Sequence, residues 1–456
     1  MLIDTHCHLD FKDFDGDRDE VIERAGKAGV AKIINVGSSV EGSRRALELA
    51  GIYDMVYATL GVHPHEAKTV TDKVINDFRS LAKDKKVVAI GEVGLDYFRN
   101  LSPRDEQVAA FRKFIALALD LDRPMIFHSR EAKDDILAIL KEERGTGIRG
   151  VMHCFSEDAD FLKECLDLGL FVSFTCNITF KNAEALRKVA RLVPVERLLL
   201  ETDAPFLAPQ EFRGSRNEPA YLALLVEQWS KLLNLSKEDV ARITTHNANS
   251  LFALGLDEKA RIAYQIRDSL YLNITNRCTN RCDFCIRDRT AFVKGHNLKL
   301  EKEPSVDDIL KAVGDPGKYR EVVFCGYGES TVRLDVVKTA ARELKKKGAL
   351  AIRIVTNGHG DLINSRPIAK ELFGLVDSVS VSLNVDTEQN YTRICRPEFG
   401  QAAYARILDF IKACVANNIE TEVTCLDLPG VDVGKCEEAA RNLGASFRMR
   451  SYGVVG

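Results

Sequence analysis

Nothing in these 456 residues approaches the length of an apolar membrane span, so no membrane partner is expected. Also missing is an excess of either charge. Lys plus Arg total 64 against 67 Asp plus Glu, and the net charge of -3 excludes a protein that coats nucleic acid or an anionic membrane by bulk charge. Any phosphate binding must therefore be local. The N-terminus has no apolar signal-peptide core and carries Asp4, His6, His8 and Asp10 instead, which points to a cytoplasmic protein. The 12 cysteines are spread too thinly through a large charged chain to form a disulfide framework, so reduced thiols and metal ligands are expected. Only Cys278, Cys282 and Cys285 have ligand spacing.

What is present is regular. The length suits two barrel-sized domains, and an apolar fraction of 45% can fill both cores. Short apolar runs at 1–6, 31–37, 56–62, 87–91, 124–127, 150–153, 170–175 and 198–202 are each followed by a segment of 3.6-residue periodicity. Eight such strand-helix units predict a parallel sheet closed into a (β/α)8 TIM barrel over residues 1–256. A polar seam at 257–268 follows. The pattern restarts at 269–275, 321–325, 351–356, 378–383, 420–426 and 446–450, and with six residues after Arg450 it predicts a (β/α)6 partial barrel over 269–456.

Polar residues gather where the first set of strands gives way to loops. His6, His8, His63, His65, Glu92, His128, His153 and Asp203 all stand at such ends, the face on which barrel active sites are built. Side chains two apart on a strand point the same way, so the imidazoles of His6 and His8 can converge on one ion, which a helix would not allow. Taken alone, such a pair also reads as a polar strand end meeting water. Together with the downstream residues it suits a site of two divalent ions (Mg, Mn or Zn), with Glu92 as the candidate bridge.

The stretches DTHCHLD (4–10), GVHPHEA (61–67), GEVGLDY (91–97), PMIFHSR (124–130), MHCFS (152–156), ETDAPFLAP (201–209) and RGSRNEP (213–219) resemble the TatD family of metal-dependent deoxyribonucleases. By that resemblance His6, His8, Glu92 and Asp203 would hold one metal, and Glu92, His128 and His153 the other. Asp203 would orient the attacking water, and Glu92 and Asp203 would be the catalytic pair. DNA or another phosphodiester would be the substrate. His63 and Arg130 are expected to contact phosphate, and Arg213, Arg216 and Asn217 either to hold a nucleic-acid backbone or to pack the rim. Cys176 departs from the small residue expected there. The same ion pair can also attack an amide or an aminoacyl ester on tRNA, which is the alternative reading.

In the second half, three thiolates with three and two intervening residues can hold a 4Fe-4S cluster and leave one iron open. A zinc site is the competing reading, and its fourth ligand would have to come from a distant residue such as His296 or Cys325. With Phe284 before the third cysteine, the loop resembles the radical S-adenosylmethionine (SAM) superfamily. The resemblance implies that Gly326, Gly328 and Glu329 hold the SAM amino group, that Ser382 and Asn384 contact SAM, and that Arg448 or Arg450 meets its carboxylate or adenine. Ser330 stands where Pro is common. It further implies a reductant such as flavodoxin or ferredoxin and reductive cleavage of SAM to a 5'-deoxyadenosyl radical, on a substrate the resemblance does not supply. Taken together, the two halves resemble the group of radical SAM proteins associated with TatD. A non-enzymatic alternative makes the cluster domain a redox-sensing module that regulates the hydrolase.

Overall fold

Short apolar runs in the first half pair in chain order, as their spacing predicts. In the computed structural model, which describes residues 1–256 and 258–451, they are β1 (Leu2–Cys7), β2 (Val30–Asn35), β3 (Val56–Leu60), β4 (Val87–Asp96), β5 (Met125–Arg130), β6 (Gly150–Met152), β7 (Phe171–Phe174) and β8 (Leu198–Leu200). Neighbours are parallel throughout and the order is β1 to β8. Cys7 bridges Ala204, while the N–H groups of Asp203 and His8 donate to the carbonyls of His6 and Ala204 at 2.8 Å each. These contacts close the sheet into a (β/α)8 barrel.

The strand period of two sorts the side chains. Ile3, Ile34, Val88, Ile126, Val151 and Leu199 pack with Leu251 and Phe252 from the last helix of this unit, Lys237–Phe252. That apolar plug fills one end of the barrel, and the polar residues occupy the other. A second apolar layer, including Phe111, Phe114, Phe127 and Trp229, lies between strands and surrounding helices.

The chain divides into two compact units, Met1–Asp257 and Glu258–Gly456. In the second, β10 (Ser269–Leu272), β13 (Glu321–Phe324), β14 (Ile352–Thr356), β15 (Ser378–Asn384), β16 (Glu420–Leu426) and β17 (Ser446–Arg450) form a parallel array, the predicted partial barrel. Two features were not foreseen. The stretch expected to be a seam contains β9 (Ala263–Ile266), which pairs antiparallel with β10 at the sheet edge. Its turn, Arg267-Asp268, puts Arg267 at φ 56° without the Gly or Asn that usually marks such a hairpin. A short ribbon, β11 (Phe292–Val293) with β12 (His296–Asn297), follows the cysteine loop. No helix among the described residues is long and apolar enough to cross a membrane.

Candidate metal and cluster sites

The strand ends of the first unit bring six predicted ligands together. His6 Nε2 and His8 Nε2 are 3.2 Å apart, and Asp203 Oδ1 lies 3.6 Å from each. Glu92 Oε2 stands 3.5 and 3.9 Å from the same two nitrogens. On its other side Glu92 Oε1 lies 2.8 Å from both His128 Nδ1 and His153 Nε2, which are 3.2 Å from each other. Ligands about 2.1 Å from a tetrahedral ion stand about 3.4 Å apart, so both groups have the spacing of a coordination shell. Glu92 is common to the two.

Proton positions support the same reading. His8 Nδ1 faces the Val36 carbonyl at 3.0 Å and must donate to it, so in the neutral ring Nε2 carries the lone pair that faces Asp203 and Glu92. His128 Nε2 faces Asp96 Oδ2 at 3.1 Å, which in the neutral ring leaves the lone pair on Nδ1, opposite Glu92. Lone pairs this close repel unless a positive charge lies between them. Burial pushes Glu92 up, but the imidazoles of His153, His63 and His128 outweigh it and hold its carboxyl well below the usual range. Burial pushes His153 down, and Glu92 and Glu201 overcome that, leaving it well above an ordinary imidazole. The donor set and spacing fit two divalent cations.

Local backbone makes this convergence possible. A Cβ on Gly61 would stand 2.3 Å from Gly91 C and 2.5 Å from Glu92 N, so only glycine lets the end of β3 close on the strand that carries Glu92. Asp203 sits in the left-handed region at φ 56°, a conformation that concentrates at functional sites.

Two carboxylates escaped the sequence reading. Asp96 Oδ2 lies 3.1 Å from both His128 Nε2 and His65 Nε2, and Asp96 is held in turn by Gln107 and the Arg99 N–H. Glu201 accepts the Cys154 N–H at 2.6 Å and lies 3.7 Å from His153 Nδ1. The rings of His6 and His153 stack at 4.1 Å, and His6, His153 and Glu201 form one buried group whose outward nitrogens have no other partner. Such outer carboxylates set the tautomer of a ligand histidine. The spacing Glu201-x-Asp203 was the available signal.

Around the mouth, Phe11 stacks on His8 at 4.6 Å and the half-exposed Phe206 meets both. Arg130 lies over the Phe98 ring at 3.8 Å and Arg213 over Phe180 at 4.4 Å. The other two rim residues are engaged internally. Arg216 clasps Asp17 at 2.7 Å through both terminal nitrogens, and the buried Asn217 amide holds the Thr202 and Phe206 carbonyls. Cys176 is buried at the start of a 3-10 turn.

In the second unit Cys278, Cys282 and Cys285 are partly buried on the loop that follows β10. Sulfurs about 2.3 Å from a tetrahedral zinc would be about 3.8 Å apart. Among the described residues, the groups of three ligand atoms within 4.8 Å of one another all belong to the first unit. Arg287 pins the loop through the carbonyls of Asn276 and Asn280, both at 3.0 Å. Behind it, the buried His359 links Thr279 Oγ1 at 2.9 Å to the Tyr391 hydroxyl at 3.0 Å, and burial pushes His359 down to about 4. Sequence alone offered no signal for that brace.

The expected SAM contacts line the same end of the sheet. A Cβ on Gly326 or Gly328 would lie 2.3 Å from Asn273 Oδ1 or from the Arg277 carbonyl, so both glycines are required for packing against the cysteine loop. Glu329 is buried; its Oε1 accepts from Thr331 and Thr356, and its Oε2 from the Asn357 N–H at 2.7 Å. Ser382 and Asn384 end β15, with Asn384 at φ 65°. Arg448 is committed to Glu422, and Arg450 is the arginine that reaches Asn384, at 2.9 Å.

Comparison with known proteins agrees with both halves. The sequence profile described as TatD related DNase matches residues 3–253, and that of the Radical SAM superfamily matches 272–443. The uncharacterized metal-dependent hydrolase YabD of Bacillus subtilis is 44% identical over 254 residues, 56% of this chain and 100% of that protein. A Pantoea ananatis protein named 3'-5' ssDNA/RNA exonuclease TatD is 40% identical over 261 residues, 56% of this chain and all of its own length. The crystal structure of the TatD homologue YjjV from Escherichia coli, at 33% identity and a TM-score of 0.53, covers 55% of this chain and 98% of its own. The chain belongs to the TatD-related metal-dependent hydrolases through its first barrel and carries a radical SAM domain in its second unit.

Proposed function

We propose that residues 1–256 form a two-ion phosphodiesterase acting on single-stranded nucleic acid, DNA foremost. The observation that carries this is the pair of facing histidine and carboxylate clusters, at coordination spacing, that share Glu92. His6, His8, Asp203 and Glu92 would hold one ion, and Glu92, His128 and His153 the other. When bound, the ions lower the pKa of a coordinated water toward neutrality and offset charge on the phosphoryl oxygens. Asp203 orients the water. His63 Nδ1 accepts the His65 N–H at 3.1 Å, and burial holds His63 down to about 3, so the neutral ring carries its proton on Nε2 and can donate it to a phosphoryl oxygen. Phe11 and Phe206 offer stacking surfaces for unpaired bases, with Arg130 and Arg213 as backbone contacts. A panel of single-stranded DNA, duplex DNA, RNA, aminoacyl-tRNA and cyclic amides tests this. Preference for duplex or for an amide sinks the reading.

Glu201 supplies a further expected result. Glu201→Gln keeps the shape but lowers the charge behind His6 and His153, and metal affinity should fall 10- to 100-fold in a manganese titration.

For residues 269–456 the proposal is a radical SAM enzyme in which Cys278, Cys282 and Cys285 hold a 4Fe-4S cluster. Gly326, Gly328, Glu329, Ser382, Asn384 and Arg448 or Arg450 face SAM. The cluster and SAM supply reductive cleavage of a carbon–sulfur bond when bound, with flavodoxin or ferredoxin as electron source. Each half has its own ligand set, so the two activities should be separable. A chain ending at Leu256 should remain folded and keep metal-dependent hydrolysis, measured on the substrate that the full protein cleaves. A folded, metal-loaded but inactive product would show that hydrolysis needs the second half.

A further inference from the structure

Two cysteines of the second unit that take no part in the cysteine loop stand against each other. Cys425 lies in β16 and pairs in register with Asn384 of β15 and Met449 of β17. The strand period of two puts its side chain on the face of Val423, the one that packs the apolar core. The helix Val433–Asn442 follows β16, packs on it and buries Cys436 on its inner side. Cys425 Sγ and Cys436 Sγ are 3.1 Å apart, and neither residue is exposed to solvent.

Two apolar side chains at this spacing would only pack, whereas two thiols can also react. A disulfide holds its sulfurs about 2.05 Å apart, so about 1 Å of approach joins this pair. The chain between them is short and turns at Gly430, whose φ is 79°. The pair also lies close to the edge of its sheet, where β17 is the last strand and has no fully buried residue. Elements at such an edge open locally at lower cost than central ones, which admits a small oxidant to thiols that are closed off on average. Cys425 has a second tie. Its Sγ lies 3.3 Å from the Asn384 carbonyl, to which the S–H can donate. Asn384, at φ 65°, ends β15 among the residues assigned to SAM. Joining the sulfurs removes that hydrogen, so the oxidation state of the pair is felt at the end of β15.

We propose that Cys425 and Cys436 are a redox-responsive modification site, closed to a disulfide by a small disulfide oxidant of the glutathione type, and that closure weakens SAM binding. One cysteine thiolate attacks oxidised glutathione, forming a mixed disulfide and releasing one glutathione; the second thiolate attacks the mixed disulfide, joins the two cysteines and releases the other. Two protein thiols are oxidised to one disulfide, one glutathione disulfide is reduced to two thiols, and the protons pass to the departing thiolates. The effect on SAM rests on the radical SAM reading; the disulfide does not.

The test uses full-length, cluster-loaded protein equilibrated anaerobically in glutathione buffers of stepped reduced-to-oxidised ratio. Samples are quenched with an alkylating reagent and digested for mass spectrometry. The peptides of Cys425 and Cys436 should become joined and should separate again in dithiothreitol. SAM affinity in calorimetry should fall about fivefold across the same ratios, the size of one net hydrogen bond. Cys436→Ala and Cys436→Ser, checked for fold by circular dichroism, keep the Cys425 thiol and should hold SAM affinity constant across the ratios. Free Cys425 and Cys436 at the most oxidising ratio overturn the proposal, as does a disulfide formed instead between Cys282 and Cys395, whose thiols also adjoin. A Cys425–Cys436 disulfide with unchanged SAM affinity overturns the coupling to SAM. Reduced wild type that binds no SAM counts against the radical SAM reading and leaves the disulfide result standing.

Discussion

Glu92→Ala should lower hydrolysis by about three orders of magnitude, the scale of the several kcal/mol that metal ions contribute to stabilising charge in such reactions. The expectation follows from geometry. Glu92 faces both histidine groups, at 2.8 Å on one side and 3.5 Å on the other, and its removal takes away the carboxylate that stands between them. Asp203→Asn should produce a loss of similar size with a smaller effect on the second ion, because Asp203 meets only His6 and His8. Initial rates on single-stranded DNA with manganese, metal analysis and circular dichroism separate lost chemistry from lost fold. Full turnover in EDTA would rule out the metal mechanism altogether.

The second large effect concerns the cysteine loop. After anaerobic reconstitution the full chain should hold about four irons. Replacing Cys278, Cys282 or Cys285 by Ala should abolish 5'-deoxyadenosine formation and reduce bound iron. The two halves have separate ligand sets, so Cys282→Ala should leave DNA hydrolysis within about twofold of wild type, well under the tenfold that 1.36 kcal/mol of barrier represents. Stoichiometric zinc without iron uptake would instead favour the structural reading. Iron bound without SAM cleavage under reducing conditions would favour a redox-sensing module.

Local pattern carried much of this protein. Strand alternation made His6 and His8 legible as a pair, and strand-helix counting predicted a closed barrel followed by a partial one. The cysteine spacing marked the second centre, because those ligands lie within eight consecutive residues. Ligands on separate strands were legible only because each stands at a strand end, where the barrel gathers them on one face.

Other features depended on tertiary structure. Asp96 and Glu201 act on imidazoles 32 and 48 residues away in the chain, and no local period links them. The edge strand β9 was hidden because its turn lacks the usual residues and it is only four residues long. Arg216 and Asn217 read as equal to Arg213 until packing committed them to Asp17 and to the Thr202 and Phe206 carbonyls. Arg448 and Arg450 share one strand face and are interchangeable in sequence; the register of β16 against β17 gives one of them Glu422 and leaves the other without a counter-charge. Sequence determined which residue types stand at strand ends because that follows from periods of two and 3.6 residues. Which charges remain uncompensated was decided by register and closure, which bring together side chains that are distant in the chain.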